Sequence, residues 1–185
     1  MKNLLVMANH RFCPQCASPL ESRMAGDALR LACSSTQCDY VFWNNPVPVV
    51  AAIVEHQGDI ILARNVAWPE KMFALITGFL EKNEEPQVGV AREVKEELNL
   101  DATQVSFVGL YTFERMNQLI IGYHVVTTGE IKLNEELADY RRIKPEKLRP
   151  WRAATGLALA DWMTSRGLAF EWMDFPARAA SNAEK

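Results

Sequence analysis

The stretch that most constrains the fold runs from residue 78 to residue 100 and reads GFLEKNEEPQVGVAREVKEELNL. Its second half has the periodicity of a helix, because Val90, Val94 and Leu98 recur at i, i+4 and i+8. Pro86 stands where a helix would begin, and proline is well tolerated in a first helical turn. The stretch therefore predicts an amphipathic helix whose apolar side packs against the rest of a domain.

The same helix carries three carboxylates, Glu93, Glu96 and Glu97, at i, i+3 and i+4. These spacings place them within roughly 100° of one another on the helical wheel, where like charges repel by a few tenths of a kcal/mol per pair. One interpretation is a solvated acidic face, the usual role of a charge run on a helix. The other is a site for a hard divalent cation such as Mg²⁺ or Mn²⁺, which takes oxygen ligands.

The spacing around these carboxylates resembles the Nudix box, G-x5-E-x7-R-E-U-x-E-E-x-G-U, in which U is a bulky aliphatic residue. The matching positions are Gly78, Glu84, Arg92, Glu93, Val94, Glu96, Glu97 and Leu100. Asn99 stands in place of the final glycine. Asn is the next most tolerant residue after glycine in the left-handed conformation that ends many helices, so we expect neither the fold nor the site to suffer.

All four cysteines fall within 26 residues, separated by two, sixteen and four residues: Cys13, Cys16, Cys33 and Cys38. Two such pairs are typical of a structural Zn²⁺ site with four thiolate ligands. The alternative is a pair of disulfides, which would require an oxidising compartment. A segment of about 40 residues buries too little surface to fold alone, so a bound metal would supply much of its folding free energy.

Cysteine pairs placed just before the box also resemble a subgroup of Nudix enzymes with an N-terminal zinc ribbon, which includes bacterial NADH pyrophosphatases and ADP-ribose or FAD pyrophosphatases. The plant FAD/ADP-ribose type is similar through FCPQC, the NP link and VEHQGDIILARN. The resemblance implies an α/β (α+β) class, with a Nudix α/β/α sandwich after a small zinc ribbon. The expected divisions are a ribbon over 10–44, a Nudix domain over 47–168 and a C-terminal extension over 169–185.

Hydrophobic patterning and turn residues predict the elements of that domain. The expected strands are 49–55 and 60–64, joined as a hairpin, followed by 72–77, 105–114, 119–126 and 140–143, and a second helix begins at Pro150 and covers 151–166.

The resemblance also implies a reaction. Nudix enzymes hydrolyse a nucleoside diphosphate joined to another moiety X, giving a nucleoside monophosphate and phospho-X. By residue match, Glu93, Glu96 and Glu97 would bind Mg²⁺ or Mn²⁺, with the carbonyl of Gly78 as a further ligand. Arg92 would hold these carboxylates in position, and Glu84 would pair with Arg92 or support an outer-shell water.

Outside the box the candidates rest on residue type alone, and each also has an ordinary structural interpretation. Arg64 is a candidate phosphate ligand or a surface ion pair, and Trp68, Phe79 and Tyr111 are candidates to stack on a base or core aromatics. The candidates for an additional carboxylate are Glu135, Glu136 and, more weakly, Glu114.

The composition of the chain limits the kinds of partner that we expect it to bind. The apolar content of 49% suits a globular protein with a core, and a net charge of −3 argues against broad adhesion to nucleic acid or anionic membrane. The apolar patch over 4–8 is too short for a signal-peptide core and no run would span a bilayer, so we expect a cytoplasmic protein. We also expect a small-molecule nucleotide-diphosphate substrate, a possible homodimer and a frayed tail over 177–185.

Two functions from different classes are consistent with these patterns. The first is a pyrophosphohydrolase acting on a dinucleotide or nucleotide sugar such as ADP-ribose, FAD or NADH. The second is a non-catalytic Nudix-like ligand sensor or a zinc-ribbon binding module, which the intact set of box carboxylates disfavours. Two specificity marks of the family are absent, since no SQPWPFPQS-like segment follows the box and Met116 replaces the proline of one ADP-ribose branch.

Overall fold

The computed structural model describes residues 10–174, so the predicted frayed tail over 177–185 and the apolar patch over 4–8 lie outside the described residues. The chain divides into two compact units, Met1–Asn45 and Pro46–Lys185. No helix of the described part is long and apolar enough to cross a membrane.

The first unit is built on a three-stranded antiparallel sheet of β1 (Leu20–Ala25), β2 (Ala28–Cys33) and β3 (Val41–Phe42). This unit has a very small hydrophobic core. Among its described residues, only Cys13, Ala32 and Cys33 are buried hydrophobic groups. Most side chains of β1 face solvent, so this sheet has almost no apolar core of its own.

The second unit contains a six-stranded mixed sheet and two helices. The strands are β4 (Val47–His56), β5 (Asp59–Asn65), β6 (Ile76–Phe79), β7 (Asp101–Phe113), β8 (Gln118–Thr128) and β9 (Leu137–Ile143). The helices are α1 (Pro86–Leu98) and α2 (Thr155–Ser165), and 3₁₀ turns occupy Glu114–Met116 and Pro145–Lys147. The sheet order is β7-β8-β4-β5-β9, with β6 also paired to β4, and β4 and β8 run parallel.

Strand β4 lies at the centre, and its buried residues alternate between two cores as the period of a strand requires. Val50, Ala52 and Val54 face the core formed with α1. Ala51 and Ile53 face the cores formed with α2. The two helices therefore cover opposite faces of one sheet, and the predicted α/β/α sandwich is confirmed.

One edge of β4 is shared between two strands, and this split positions the site. The first half of β4, Val49–Ala52, pairs with β6, whereas its end pairs with β5. Gly78 of β6 lies opposite Val50 in this register. The sheet therefore opens between β5 and β6 near the residue that begins the box.

Several predicted boundaries are wrong. Strand β7 begins at Asp101 and not at 105, and β9 begins at Leu137 and not at 140. Two further boundaries differ for tertiary reasons. The strand predicted over 72–77 is observed at 76–79, because Ala74 first pairs with Ala63 of β5 in an isolated bridge and only then does the chain join β4. The second helix begins at Thr155 and not at Pro150. Trp151 instead forms a bridge with Met173.

Candidate functional site

Helix α1 begins and ends as its sequence suggests. Pro86 occupies the first turn, and Val90, Val94 and Leu98 are at most 1% exposed. Asn99 ends the helix in the left-handed conformation with φ 59°, and its backbone N–H donates to the carbonyl of Lys95. Asn99 therefore adopts the left-handed conformation expected in place of the usual glycine, and its effect on the site stays a prediction.

Arg92 is the centre of an ion-pair network on the exposed side of α1. Its Nε donates to Glu84 Oε1 at 2.7 Å, and one terminal nitrogen donates to Glu84 Oε2 at 2.9 Å. The other terminal nitrogen donates to Glu93 at 2.8 Å and to Glu96 at 2.9 Å. A guanidinium fork suits such two-point contacts, which fix the orientation of carboxylates as well as their charge.

Two glycines allow the carboxylates to lie against the backbone. A Cβ atom at Gly78 would overlap the carboxylate carbon of Glu93. At Gly89 a Cβ atom would stand 2.8 Å from Glu84 Oε2. Any larger residue at Gly78 would displace Glu93, which gives a packing reason for the glycine that begins the box.

The carboxyl groups of the network differ in pKa because their surroundings differ. Hydrogen bonds from Arg92 lower the pKa of Glu84 to about 2. Burial raises the pKa of Glu97 to about 7, with further contributions from Glu93, Glu136 and Glu96. Burial also raises the pKa of Glu93. The side chains of Glu93 and Glu97 thus lie where an additional positive charge would be strongly favoured.

These groups open onto a cavity of about 730 Å³, within the size range of small-molecule sites. Glu93, Glu96 and Glu97 line it together with Gly78 and Arg92. Aromatic side chains also contribute to the lining, namely Trp68, Phe79, Phe113 and Trp151. The cavity therefore joins a carboxylate cluster to flat apolar surfaces that suit a nucleoside.

The four cysteines of the first unit converge as well. All four Sγ atoms lie within 4.8 Å of one another, and Cys13–Cys38 and Cys16–Cys33 are 3.7 Å and 3.4 Å apart. A disulfide needs about 2.05 Å, whereas sulfurs around a tetrahedral zinc at ~2.3 Å stand about 3.8 Å apart. The cysteines are free thiols in this structure, and their spacing is that of a four-thiolate metal centre.

Comparison with known families decides the classification. A family model described as the NUDIX domain matches residues 45–163. The chain belongs to the Nudix family. The match includes the box and begins after the last cysteine, so it covers the sandwich and not the cysteine cluster.

Curated relatives give the match more detail. The chain is 31% identical over 122 residues to the NAD-capped RNA hydrolase NudC of Mycobacterium bovis, covering 64% of this chain and 37% of that protein. It is 30% identical over 145 residues to the protein of the same name from Vibrio vulnificus, covering 76% of this chain and 53% of that one. The chain thus spans about a third to a half of the length of these relatives.

Solved structures support the fold. The crystal structure of a NUDIX hydrolase from Nitrosomonas europaea superposes with a TM-score of 0.68 at 21% identity, covering 89% of this chain and 99% of that one. An ADP-ribose pyrophosphatase from Streptococcus suis superposes with a TM-score of 0.52 at 19% identity, covering 70% and 98%. At these identities the likeness shows the Nudix fold alone.

The structure brings some of the predicted residues outside the Nudix box to the cavity. Trp68, Phe79 and Glu136 line it. Glu136 arrives there because its loop is tied to both sides, through its carbonyl to Val66 N–H at 2.9 Å and through Asn134 N–H to the carbonyl of Glu97 at 3.2 Å.

Other candidates lie elsewhere. Arg64, near the end of β5, is not among the residues that line the cavity. Tyr111 is buried and its hydroxyl donates to Asp161 at 2.8 Å. Glu114 and Glu135 are exposed and are not among the lining residues.

Sequence reasoning missed much of the cavity lining, including Phe113, Arg115, Met116 and Trp151. The first three sit at the turn between β7 and β8, where the sequence shows only a connection between two strands. The sequence marks Met116 only as the residue that replaces a specificity proline. It predicts Trp151 inside a helix, whereas the bridge to Met173 shows that Trp151 lies before the helix begins.

Proposed function

We propose that this chain is a metal-dependent Nudix pyrophosphohydrolase that cleaves a nucleoside diphosphate linked to X into a nucleoside monophosphate and phospho-X. The observation that carries the proposal is the placement of Glu93, Glu96 and Glu97 on the wall of a cavity large enough for a nucleotide. A ligand sensor would need the cavity but would have no use for a complete set of carboxylates.

The donor set fits a divalent cation. Three carboxylates share one wall, and burial with mutual repulsion raises the pKa of Glu97 to about 7. Mg²⁺ and Mn²⁺ take oxygen ligands of this kind and share them with substrate phosphates. Glu93, Glu96 and Glu97 would hold the cation, and the carbonyl of Gly78 is a further candidate ligand. Such a cation neutralises phosphate charge and lowers the pKa of a bound water.

The remaining residues of the box have positioning roles in this proposal. Arg92 restrains Glu93 and Glu96 by hydrogen bonds of 2.8 and 2.9 Å, so that neither needs to reorganise when substrate binds. Glu84 in turn restrains Arg92 through two hydrogen bonds. Glu136, which also lines the cavity, is a candidate for an additional ligand or base.

We infer a substrate with two nucleoside-like or sugar-like ends. Trp68 and Phe79 stand on the cavity wall beside the box, and Phe113 and Trp151 add two further aromatic surfaces. The relatives from Mycobacterium bovis and Vibrio vulnificus are named as hydrolases of NAD-capped RNA, whose cap is a dinucleotide. ADP-ribose, FAD and NADH are therefore the first compounds to test.

We propose zinc as the metal of the cysteine cluster. Four sulfurs within 4.8 Å of one another form a soft, four-fold donor set, and Zn²⁺ is the usual occupant of such sites. The division into a ribbon over 10–44, a Nudix domain over 47–168 and an extension over 169–185 remains part of this proposal. A cytoplasmic location, a homodimer and the absence of nucleic-acid binding remain predictions.

The proposal is tested by incubating the chain with ADP-ribose, FAD, NADH and nucleoside triphosphates, each with Mg²⁺, Mn²⁺ or no added cation. We expect release of nucleoside monophosphate from a dinucleotide or nucleotide sugar only when a divalent cation is present. The Glu97→Gln variant serves as the inactive control. Tight binding of these compounds without turnover would instead support the ligand-sensor function, and a tenfold preference for a triphosphate would reject the substrate class.

A further inference from the structure

A second, smaller cavity of about 180 Å³ adjoins the large one. The two share four lining residues: Ala74, Leu75, Trp151 and Thr155. The two cavities are therefore neighbours beside the start of α2, and Trp151 forms part of the wall of each.

The two cavities have opposite charge. Five glutamates line the large cavity, against Arg92 and Arg115: Glu81, Glu93, Glu96, Glu97 and Glu136. Among residues 10–174, four basic residues and no acidic residue line the small one: Lys71, Arg141, Lys147 and Arg149. The large cavity thus requires cations to accept a phosphate, whereas the small cavity attracts an anion directly.

Three of the four cations are free to bind a ligand. Arg149 pairs with Glu171 at 3.1 Å. In the part of the chain that the structure describes, Lys71, Arg141 and Lys147 form no ion pair with a carboxylate. The guanidinium of Arg141 lies 4.0 Å from the ring centre of Phe73, which holds it against the cavity floor and leaves its N–H groups for an anion.

The size of the small cavity limits what it accepts. Sites for drug-sized ligands measure about 300–1,000 Å³, so 180 Å³ suits one phosphate group with part of a sugar but not a nucleotide. The floor contains apolar side chains, including Leu62, Phe73 and Leu159, that exclude water from one side of the group. Partial exclusion of water strengthens a phosphate–guanidinium contact.

We propose that this cationic cavity binds a phosphate that the substrate carries outside the pyrophosphate to be cleaved. Lys71, Arg141 and Lys147 are its ligands, and the chain prefers substrates that bear such a phosphate. The inference rests on the proposed function, since it assigns the neighbouring cavity to the pyrophosphate. A phosphate of this kind has two sources, a monoester on a ribose of the dinucleotide or the first phosphodiester of an attached oligonucleotide.

Matched substrate pairs distinguish the two sources. NADPH and NADH differ by a single 2′-phosphate monoester, and NAD⁺ extended by a short oligonucleotide differs from NAD⁺ by phosphodiesters. We expect kcat/KM at low ionic strength to be about tenfold higher for the phosphate-bearing member of one pair, which is ~1.4 kcal/mol. This ratio should fall towards one as salt screens the contact.

The variant Lys71→Gln/Lys147→Gln tests the residues. It should abolish the preference in whichever pair shows it, because two of the three free cations are lost. Lys132→Gln/Lys144→Gln removes the same charge from positions that do not line the cavity and should keep the preference. Equal ratios in the two variants, or no preference in either pair for the wild-type chain, would overturn the proposal.

A binding measurement separates this proposal from the proposed function. The affinities of NADP⁺ and NAD⁺ are compared by calorimetric titration without added divalent cation, in the wild-type chain and in both variants. If the chain hydrolysed no substrate, the proposed function would fail, yet a preference for NADP⁺ that only Lys71→Gln/Lys147→Gln removed would still support the cavity. Equal affinities together with hydrolysis of NADH and equal rates in both pairs would reject the cavity alone.

Discussion

The chain contains two clusters of side chains of metal-ligand type, and the structure around them supports them in opposite ways. The carboxylates stand on α1, whose Val90, Val94 and Leu98 are buried in a core shared with the sheet. The cysteines lie at the end of β2 and in the loops of the first unit, in which only Cys13, Ala32 and Cys33 are buried hydrophobic residues among those described.

This difference shows what each metal would do. The carboxylate cluster is assembled by packing and by Arg92, so a cation there would add chemistry to a structure that already exists. The cysteine cluster has little apolar surface to hold it together, so a metal there would contribute to folding directly. Removing a metal ligand is therefore expected to reduce activity at the carboxylate cluster and to unfold the structure at the cysteine cluster.

The largest expected effect is at the cysteines. Cys16→Ser should abolish stoichiometric zinc and lower the free energy of unfolding of the first unit by several kcal/mol, because the metal supplies that stability. Zinc content is measured by atomic spectroscopy and the unfolding by NMR of the first unit. The control is Ser35→Ala, which leaves the thiolates intact. If the purified wild-type chain contained no zinc, yet the NMR spectrum of its first unit were that of a folded domain, the predicted dependence of this unit on a metal would be wrong.

The next effect is at the carboxylates and is catalytic. Glu97→Gln should reduce kcat at least ~10²-fold, or about 2.7 kcal/mol, because a metal ligand is lost. The thermal midpoint should not fall, since the variant removes a partly buried carboxylate with a pKa of about 7. Glu130→Gln, at an exposed residue paired with Lys132, is the matched control. Turnover like that of the wild type would show that this cluster is not a metal site.

Arg92→Lys should have an intermediate effect. Lysine keeps the charge but loses the fork that contacts Glu84, Glu93 and Glu96. We expect Mn²⁺ affinity, measured by electron paramagnetic resonance, and kcat to fall by about 10- to 100-fold, as is typical when a group that orients metal ligands is altered.

Arg142→Lys provides the control for Arg92→Lys. Arg142 donates to Asp59 at 3.1 Å and to the carbonyl of His56 at 3.2 Å, and neither of these partners is a box residue. Its substitution should leave Mn²⁺ affinity unchanged. If both variants lowered the affinity alike, general destabilisation would replace the positioning role assigned to Arg92.

The smallest effect is at the end of α1. Asn99→Gly should change the free energy of unfolding by less than ~0.5 kcal/mol, because glycine relieves the left-handed conformation while the hydrogen bond from the side chain to the carbonyl of Glu130 is lost. Asn99→Ala should cost about 1 kcal/mol, since it keeps a Cβ and loses that bond. Urea denaturation measures both. Equal losses in the two variants would mean that the hydrogen bond, and not the conformation, controls this end.

Much of the carboxylate region was predictable because its interactions are local in sequence. Glu84 and Arg92 are eight residues apart, and one helical turn with its preceding loop brings them into contact at 2.7 Å. The end of the helix was predictable for the same reason, since Asn99 determines it within one residue. The cysteine pairs were predictable because each knuckle is itself a short turn.

The cavity walls were not predictable in this way. Trp151 and Arg115 reach the cavity from segments far from the box, and the isolated bridge between Trp151 and Met173 delays the helix predicted to start at Pro150. The position of Arg64 at a strand end predicts a phosphate ligand, yet Arg64 is not among the residues that line the cavity. The alternation of side chains along a strand can be recognised in a sequence, but the sequence does not show which face of the strand lines a cavity.

The sequence by itself determined which carboxylates and which cysteines cluster, the helix that presents the carboxylates and the family, because these depend on spacings within a turn or two. Only the tertiary structure decided that Glu136 and not Glu135 lines the cavity, and that Lys71, Arg141 and Lys147 line one recess. These residues come from separate segments, and the distance between segments depends on how the sheet splits between β5 and β6 and on where α2 packs.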